Sequence, residues 1–170
     1  PFKRVIVKLN KGVAGILLKG DIARWNFPAP VVKNGLLHAP ACDDLAGVAA
    51  AICALETIKK LPGLGHVGVL LTRAEEIGFV GAIAAAKNKT VPKTSRLLCL
   101  ETSRSFSESP IGGGPILRVG DKTSVFGPEL TNASANIMNA QNNFQWQRKL
   151  MPGGTCESTA FCEYGYLSTC

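Results

Sequence analysis

Two pairs of adjacent acids stand where a largely apolar sequence should exclude them. Asp43-Asp44 heads a strongly apolar helical pattern, and Glu75-Glu76 follows the apolar run His66-Val-Gly-Val-Leu-Leu-Thr72. Carboxylates are almost never buried without a partner. The chain has only 12 acidic residues against 19 basic ones, so two acidic doublets at changes of chain direction point to bound metal ions. Glu101 closes a further apolar run, 96–100, and joins them. Adjacent glutamates on a loop face different ways, so one can grip a metal while its neighbour faces the water that the metal polarises. Bound metal lowers the pKa of water to about 7, and a nearby carboxylate takes the proton. That is the division of labour of metal-assisted hydrolysis, and an aspartate on a tight turn, here Asp43, suits the position between two ions.

Periodicity indicates the elements that must place these acids. Leu45, Val48, Ile52 and Leu55 recur as on a helix with one buried stripe, ended by Leu61-Pro62-Gly63. The pattern predicts strands over 67–72 and 96–100 with a small-residue helix over 81–86 between them. Further strands are expected over 115–120, 123–126 and 144–150, and a helix over 129–140. Such alternation defines an α/β protein, a three-layer α/β/α arrangement with a mixed, mostly parallel central sheet. Ligands gather at the carboxyl ends of the strands in such sheets, where Glu75, Glu76 and Glu101 fall and where the loop before Asp43 would rise. Crowded there, the acids need cations or raised pKa values to coexist. Short β-type runs over 4–8 and 14–18 precede the breaker Asn26-Phe-Pro-Ala-Pro30. Residues 1–34 are therefore expected to be the edge of a neighbouring lobe, and 35–170 the catalytic domain. The start without methionine and the strand-like 165–170 suggest a piece of a longer protein, incomplete at its C-terminus.

Composition narrows the partners. At 170 residues and 46% hydrophobic content, the chain can bury a substantial core. No apolar run approaches the roughly 18 residues of a membrane span, so no membrane partner is expected. The net charge of +7 is dispersed and lacks aromatic interleaving, which argues against nucleic acid. Six scattered cysteines, three of them in apolar segments, read as reduced and place the protein in the cytoplasm. Cys42 and Cys156 have no histidine partner, and nearby acids would blunt a thiol nucleophile. Gly112-Gly-Gly114 lacks the lysine and hydroxyl that complete a phosphate loop; it reads as a turn or a close backbone approach to substrate. Pro152-Gly-Gly-Thr155 reads on its own as a hairpin loop.

Four of these segments, in this order, resemble one family. Cys42-Asp-Asp-Leu-Ala-Gly47 is similar to an Asp-Asp-x-x-Gly turn, and Thr72-Arg-Ala-Glu-Glu-Ile-Gly-Phe-Val-Gly-Ala82 to a Glu-Glu-x-Gly-x-x-Gly-Ala segment, of two-zinc aminopeptidases. Gly112-Gly-Gly-Pro-Ile116 and Pro152-Gly-Gly-Thr155 resemble two later loops. The resemblance covers about residues 38–165. It is nearest to the glutamyl/leucyl aminopeptidases that form tetrahedral particles, with bacterial leucine aminopeptidase and the aminoacylase and carboxypeptidase relatives more distant. It implies two divalent ions, zinc by family, with Asp43 bridging them, Glu76 and Glu101 each binding one, Glu75 as general base and Asp44 in support across a cis peptide. It also implies that Gly112, Gly113, Gly154 and Thr155 lie near substrate. The implied reaction is hydrolysis of N-terminal peptide bonds by a metal-bridging water that Glu75 activates. An N-acyl amino acid amidohydrolase and an inactive scaffold of peptidase ancestry are the alternatives. The partner is a peptide or small amide, and self-assembly is common in the family. Neither histidine ligand of the family is present: His38 stands too near Asp43, and His66 opens its strand at the far end.

Overall fold

Prolines decide where regular structure begins. Residues 21–30 hold neither helix nor strand, because Pro28 and Pro30 have no amide hydrogen to give to a ladder. The computed structural model describes residues 6–9, 12 and 15–170, and contacts divide the chain into two units, Pro1–Pro40 and Ala41–Cys170. In the first unit, β1 (Val31–Lys33) and β2 (Leu36–His38) form an antiparallel hairpin that periodicity does not predict. Its turn is Asn34-Gly35, with φ of 53° and 74°, the two-residue turn this dipeptide favours. The start of the run expected over 4–8, and residue 14 of the run expected over 14–18, lie outside the described residues. Residues 6–8 and 15–18 form no strand.

The second unit carries α1 (Cys42–Ile58), a single 3-10 turn Glu75–Ile77, α2 (Val80–Lys87), β3 (Arg96–Leu98), β4 (Ile116–Gly120), α3 (Pro128–Asn139), β5 (Gln147–Leu150), α4 (Glu157–Glu163) and β6 (Leu167–Thr169). β3 pairs in parallel with β6, and β4 in parallel with β5. The Arg118 amide donates to the Cys170 carbonyl at 2.7 Å, and Thr169 Oγ1 donates to the Arg118 carbonyl at 3.1 Å. These bonds bring the end of β6 beside β4, while the ladders remain two pairs, β3-β6 and β4-β5. The mixed α/β fold with parallel strands is the one the sequence predicts. Residues 67–72 form no strand, however, since no backbone ladder partner faces them among the described residues, and 123–126 contribute only a bridge from Val125 to Gly120.

The core lies where α2 and α4 meet β3 and β6. Ala82, Ala85, Ala86 and Ala160 are buried there with Phe161 and Tyr166, and the small side chains let the two helices approach closely. Phe161 and Tyr166 meet edge to face, centroids 5.6 Å apart, worth about 1 kcal/mol beyond their burial. The expected stripe of α1 is only partly covered: Val48 and Leu55 are half-buried, while Leu45 and Ile52 remain exposed. Among the described residues, no helix is long and apolar enough to cross a membrane, and no disulfide joins the cysteines.

Candidate metal centre

Glycines explain how both acidic doublets are held. At the head of α1 the Asp43-Asp44 peptide is cis, and neither residue has helical φ/ψ. The Asp44 carboxylate turns back to accept the Gly47 amide at 3.2 Å. A Cβ at residue 47 would collide with that carboxylate, whose Cγ would lie 2.8 Å away. The glycine of Asp-Asp-x-x-Gly therefore makes room for Asp44.

The second doublet forms the 3-10 turn, closed by Gly78 at φ 102°. Residues 73–81 fold back on themselves: Gly78 and Phe79 donate to the Glu75 carbonyl, and Gly81 donates to the Arg73 carbonyl at 2.9 Å. A Cβ on Gly81 would meet the Arg73 backbone at 2.5 Å. The spacing Glu-Glu-x-Gly-x-x-Gly is thus the requirement of a turn packed against the start of α2. Thr72 Oγ1 bonds to Glu157 Oε1 at 2.5 Å and ties the approach of this turn to α4.

Oxygens of Asp43, Asp44 and Glu101 lie within 4.8 Å of one another, a set able to hold a cation. Three full charges so close repel by about 3.5 kcal/mol per pair at an effective dielectric constant of about 20. Burial, the larger cause, adds to this repulsion in raising three acids of the rim. Glu101 is pushed up to about 7, by burial first and then by Glu75, Asp43 and Asp44, against the opposing pull of Arg118. Glu75 is raised by burial and by the neighbouring charges of Glu76, Glu157, Asp43 and Asp44. Asp44 is raised chiefly by burial, its bond from Gly47 opposing. The oxygen donors and their mutual repulsion fit a divalent cation. Glu75 and Glu76 stand outside this trio; Glu75 is half-buried and Glu76 exposed.

A cleft of about 380 Å³ opens beside the trio, walled by Asp44, Glu101, Arg118, Ser105, Ile111 and Gly112 among others. Of the four residues expected near substrate, Gly112 lines it. Gly113 packs on β5 instead: a Cβ there would meet the Gln147 side chain at 2.7 Å. Gly154 and Thr155 sit in the loop before α4, away from the lining, where the Gly154 carbonyl accepts the Lys122 amide at 2.9 Å. Arg118 belongs to the same wall. It is buried, and its Nη2 donates to the Thr102 carbonyl at 2.9 Å and to Ser103 Oγ at 2.7 Å. A lone arginine in a strand carries no local signal of such a role. His38 and His66 are both exposed, and neither joins a metal-ligating group among the described residues.

An α/β fold with an acidic rim able to hold a cation defines the class, and comparison gives the family. The sequence profile of the M42 glutamyl aminopeptidase family matches residues 12–166, and the chain belongs to that family. Two solved structures share the fold. PhTET1-12s, a dodecamer in its asymmetric unit, is 23% identical with a TM-score of 0.61, covering 82% of this chain and 43% of that one. The TET aminopeptidase from a marine sediment archaeon of the Thaumarchaeota is 22% identical with a TM-score of 0.66, covering 82% and 41%. The chain thus spans less than half the length of either. No curated protein sequence matches it.

Proposed function

We propose that the protein is a metal-dependent aminopeptidase, an exopeptidase that removes N-terminal residues from peptides. The observation that carries this reading is the convergence of Asp43, Asp44 and Glu101 within 4.8 Å in a chain of the M42 family. Asp43, Glu76 and Glu101 would hold two divalent ions, zinc by family resemblance, with Asp44 supporting Asp43. Such ions, when bound, polarise a carbonyl oxygen and acidify water. Glu75 is the general base, and its raised pKa suits a group that must take a proton and pass it to the departing amine. The exposed backbone at Gly112 offers a wall along which a peptide can lie.

The test uses the protein as the cell makes it, assayed on aminoacyl and N-acyl substrates before and after chelation. Hydrolysis of aminoacyl substrates that is lost with a chelator and restored by zinc supports the proposal. Turnover of N-acyl amino acids alone would make it an amidohydrolase, and inactivity with under one bound ion per chain would make it a scaffold. A cytoplasmic location and self-assembly complete the reading. Light scattering checks the assembly, and a monomer at working concentration would remove it.

A further inference from the structure

Three carboxylates gathered on one rim have to be held against their own repulsion, and the geometry points to Arg118 as the positioning residue that does so. This inference rests on the reading of Asp43, Asp44 and Glu101 as a cation site. Glu101 lies beyond the end of β3, and β3 is bonded to β6 rather than to β4. The loop that carries Glu101 is therefore not tied to β4 by any ladder. Arg118 spans that gap. Its own backbone is fixed on both sides: it belongs to the β4–β5 pairing, its amide donates to Cys170, and its carbonyl accepts from Thr169. From this anchor its Nη2 reaches the Thr102 carbonyl and Ser103 Oγ, in the two residues that follow Glu101.

Both bonds leave the single nitrogen Nη2, whose two N–H groups are fixed in the guanidinium plane, one for each acceptor, whereas the ammonium of lysine sits on a shorter, freely rotating stem. Arg118 also faces the open cleft that Glu101 and Asp44 line, so its charge opposes the repulsion of the acids while its hydrogen bonds set where Glu101 stands. These two contributions have opposite consequences for a cation. As a bare positive charge, Arg118 weakens cation binding; as the clamp that keeps the Glu101 carboxylate beside Asp43 and Asp44, it strengthens it.

That opposition makes the inference testable without an activity assay. Zinc or manganese is titrated into the metal-free chain by calorimetry, with circular dichroism and thermal unfolding run on each variant. Arg118→Met removes clamp and charge, and Arg118→Lys keeps the charge but loses the reach and fixed direction of the two Nη2 donors. Both are expected to weaken binding by tenfold or more. Arg118→Met binding the ion as tightly as the native chain, or more tightly, would overturn the positioning role and leave a mere counter-charge. Should Arg118→Met fail to fold, Ser103→Ala decides: a few-fold loss supports the clamp, and native affinity defeats it. A native chain that binds no ion at all removes the cation-site reading and this inference with it. A native chain that binds while the variants are unchanged removes only this inference.

Discussion

Two groups of carboxylates in the same unit are held in opposite ways. Asp121 is buried and saturated with donors: the Thr123 and Ser124 amides at 2.9 Å each and the Thr123 hydroxyl at 3.3 Å on one oxygen, the Cys156 amide at 3.2 Å and the Thr159 hydroxyl on the other. Its negative charge is spread into a turn and the N-terminal end of α4, and its role is complete within the protein. The rim acids have mainly one another. Asp44 takes the Gly47 amide, and Arg118 supplies an opposing charge, yet burial and mutual repulsion still raise Asp44, Glu75 and Glu101. A carboxylate whose oxygens are filled by donors builds structure, whereas carboxylates left facing one another have room for a cation.

The sharpest way to break this contrast is at Glu75. Glu75→Gln keeps the shape of the turn but removes the proton acceptor, so turnover in the protein as the cell makes it should fall by about 10²- to 10⁴-fold, while calorimetry finds cation affinity little changed. Normal turnover in Glu75→Gln would end its assignment as base. On the structural side, Asp121→Ala strips an acceptor from five donors at once. We expect a loss of about 3–5 kcal/mol in urea unfolding, with a smaller loss for Asp121→Asn, which keeps one carbonyl oxygen. Near-native stability of Asp121→Ala would mean that the turn is held by something else.

How far the sequence reveals each region follows from the range of the interactions. Asp43-Asp44 with Gly47, and Glu75-Glu76 with Gly78 and Gly81, are local arrangements, and the glycines that permit them lie within a few residues. The spacing therefore carries the geometry. Arg118 acts on Thr102 and Ser103, and Asp121 on Cys156 and Thr159, across stretches of chain with no fixed spacing; Thr123 and Ser124 mark the local turn at Asp121, but nothing nearby marks these distant partners. The apolar run 67–72 indicates a segment that suits burial but cannot name a ladder partner, and the structure provides none among the described residues. The Asn34-Gly35 hairpin was marked in the sequence by its dipeptide. Reading only for alternation misses it because each strand is three residues long.

A smaller effect separates the rim from an ordinary surface acid by the direction of its pH dependence. Glu101 has a folded pKa of about 7, above its ordinary value of 4.5. The folded, metal-free chain therefore holds this proton more tightly than the unfolded chain. Stability should fall as pH rises from about 4.5 to about 7 and stay low above that. Glu101 is only half-buried, so solvent screening limits the loss to about 1–2 kcal/mol. Asp44 and Glu75, also raised, act in the same direction. Urea unfolding at pH 5 and pH 8 with a chelator should show the decline, and saturating zinc should remove it because the ion replaces the protons. A flat profile in chelator would mean that neither burial nor crowding raises these acids.

The smallest effect comes from the mirror case. Glu108 is exposed and bonds through Oε1 to the buried Lys149 Nζ at 2.7 Å, and that bond holds its carboxyl down to about 2 from an ordinary 4.5. Here the folded state favours the ionised form, so the contribution is present above about 4.5 and disappears as pH falls toward 2, opposite in sign to Glu101. At neutral pH Glu108→Gln should lose the same small contribution that the native pair loses in acid, while Lys149 keeps its bond to Ser109 Oγ at 3.0 Å and its place 3.6 Å over the Phe106 ring. What the variant should lose is part of the acid sensitivity below pH 4.5, with cation affinity unchanged. A variant that unfolds in acid as the native chain does would show that the Glu108–Lys149 pair contributes nothing. A change in cation affinity would show instead that the pair shapes the wall of the cleft, because Ser109 lines that wall beside Glu101.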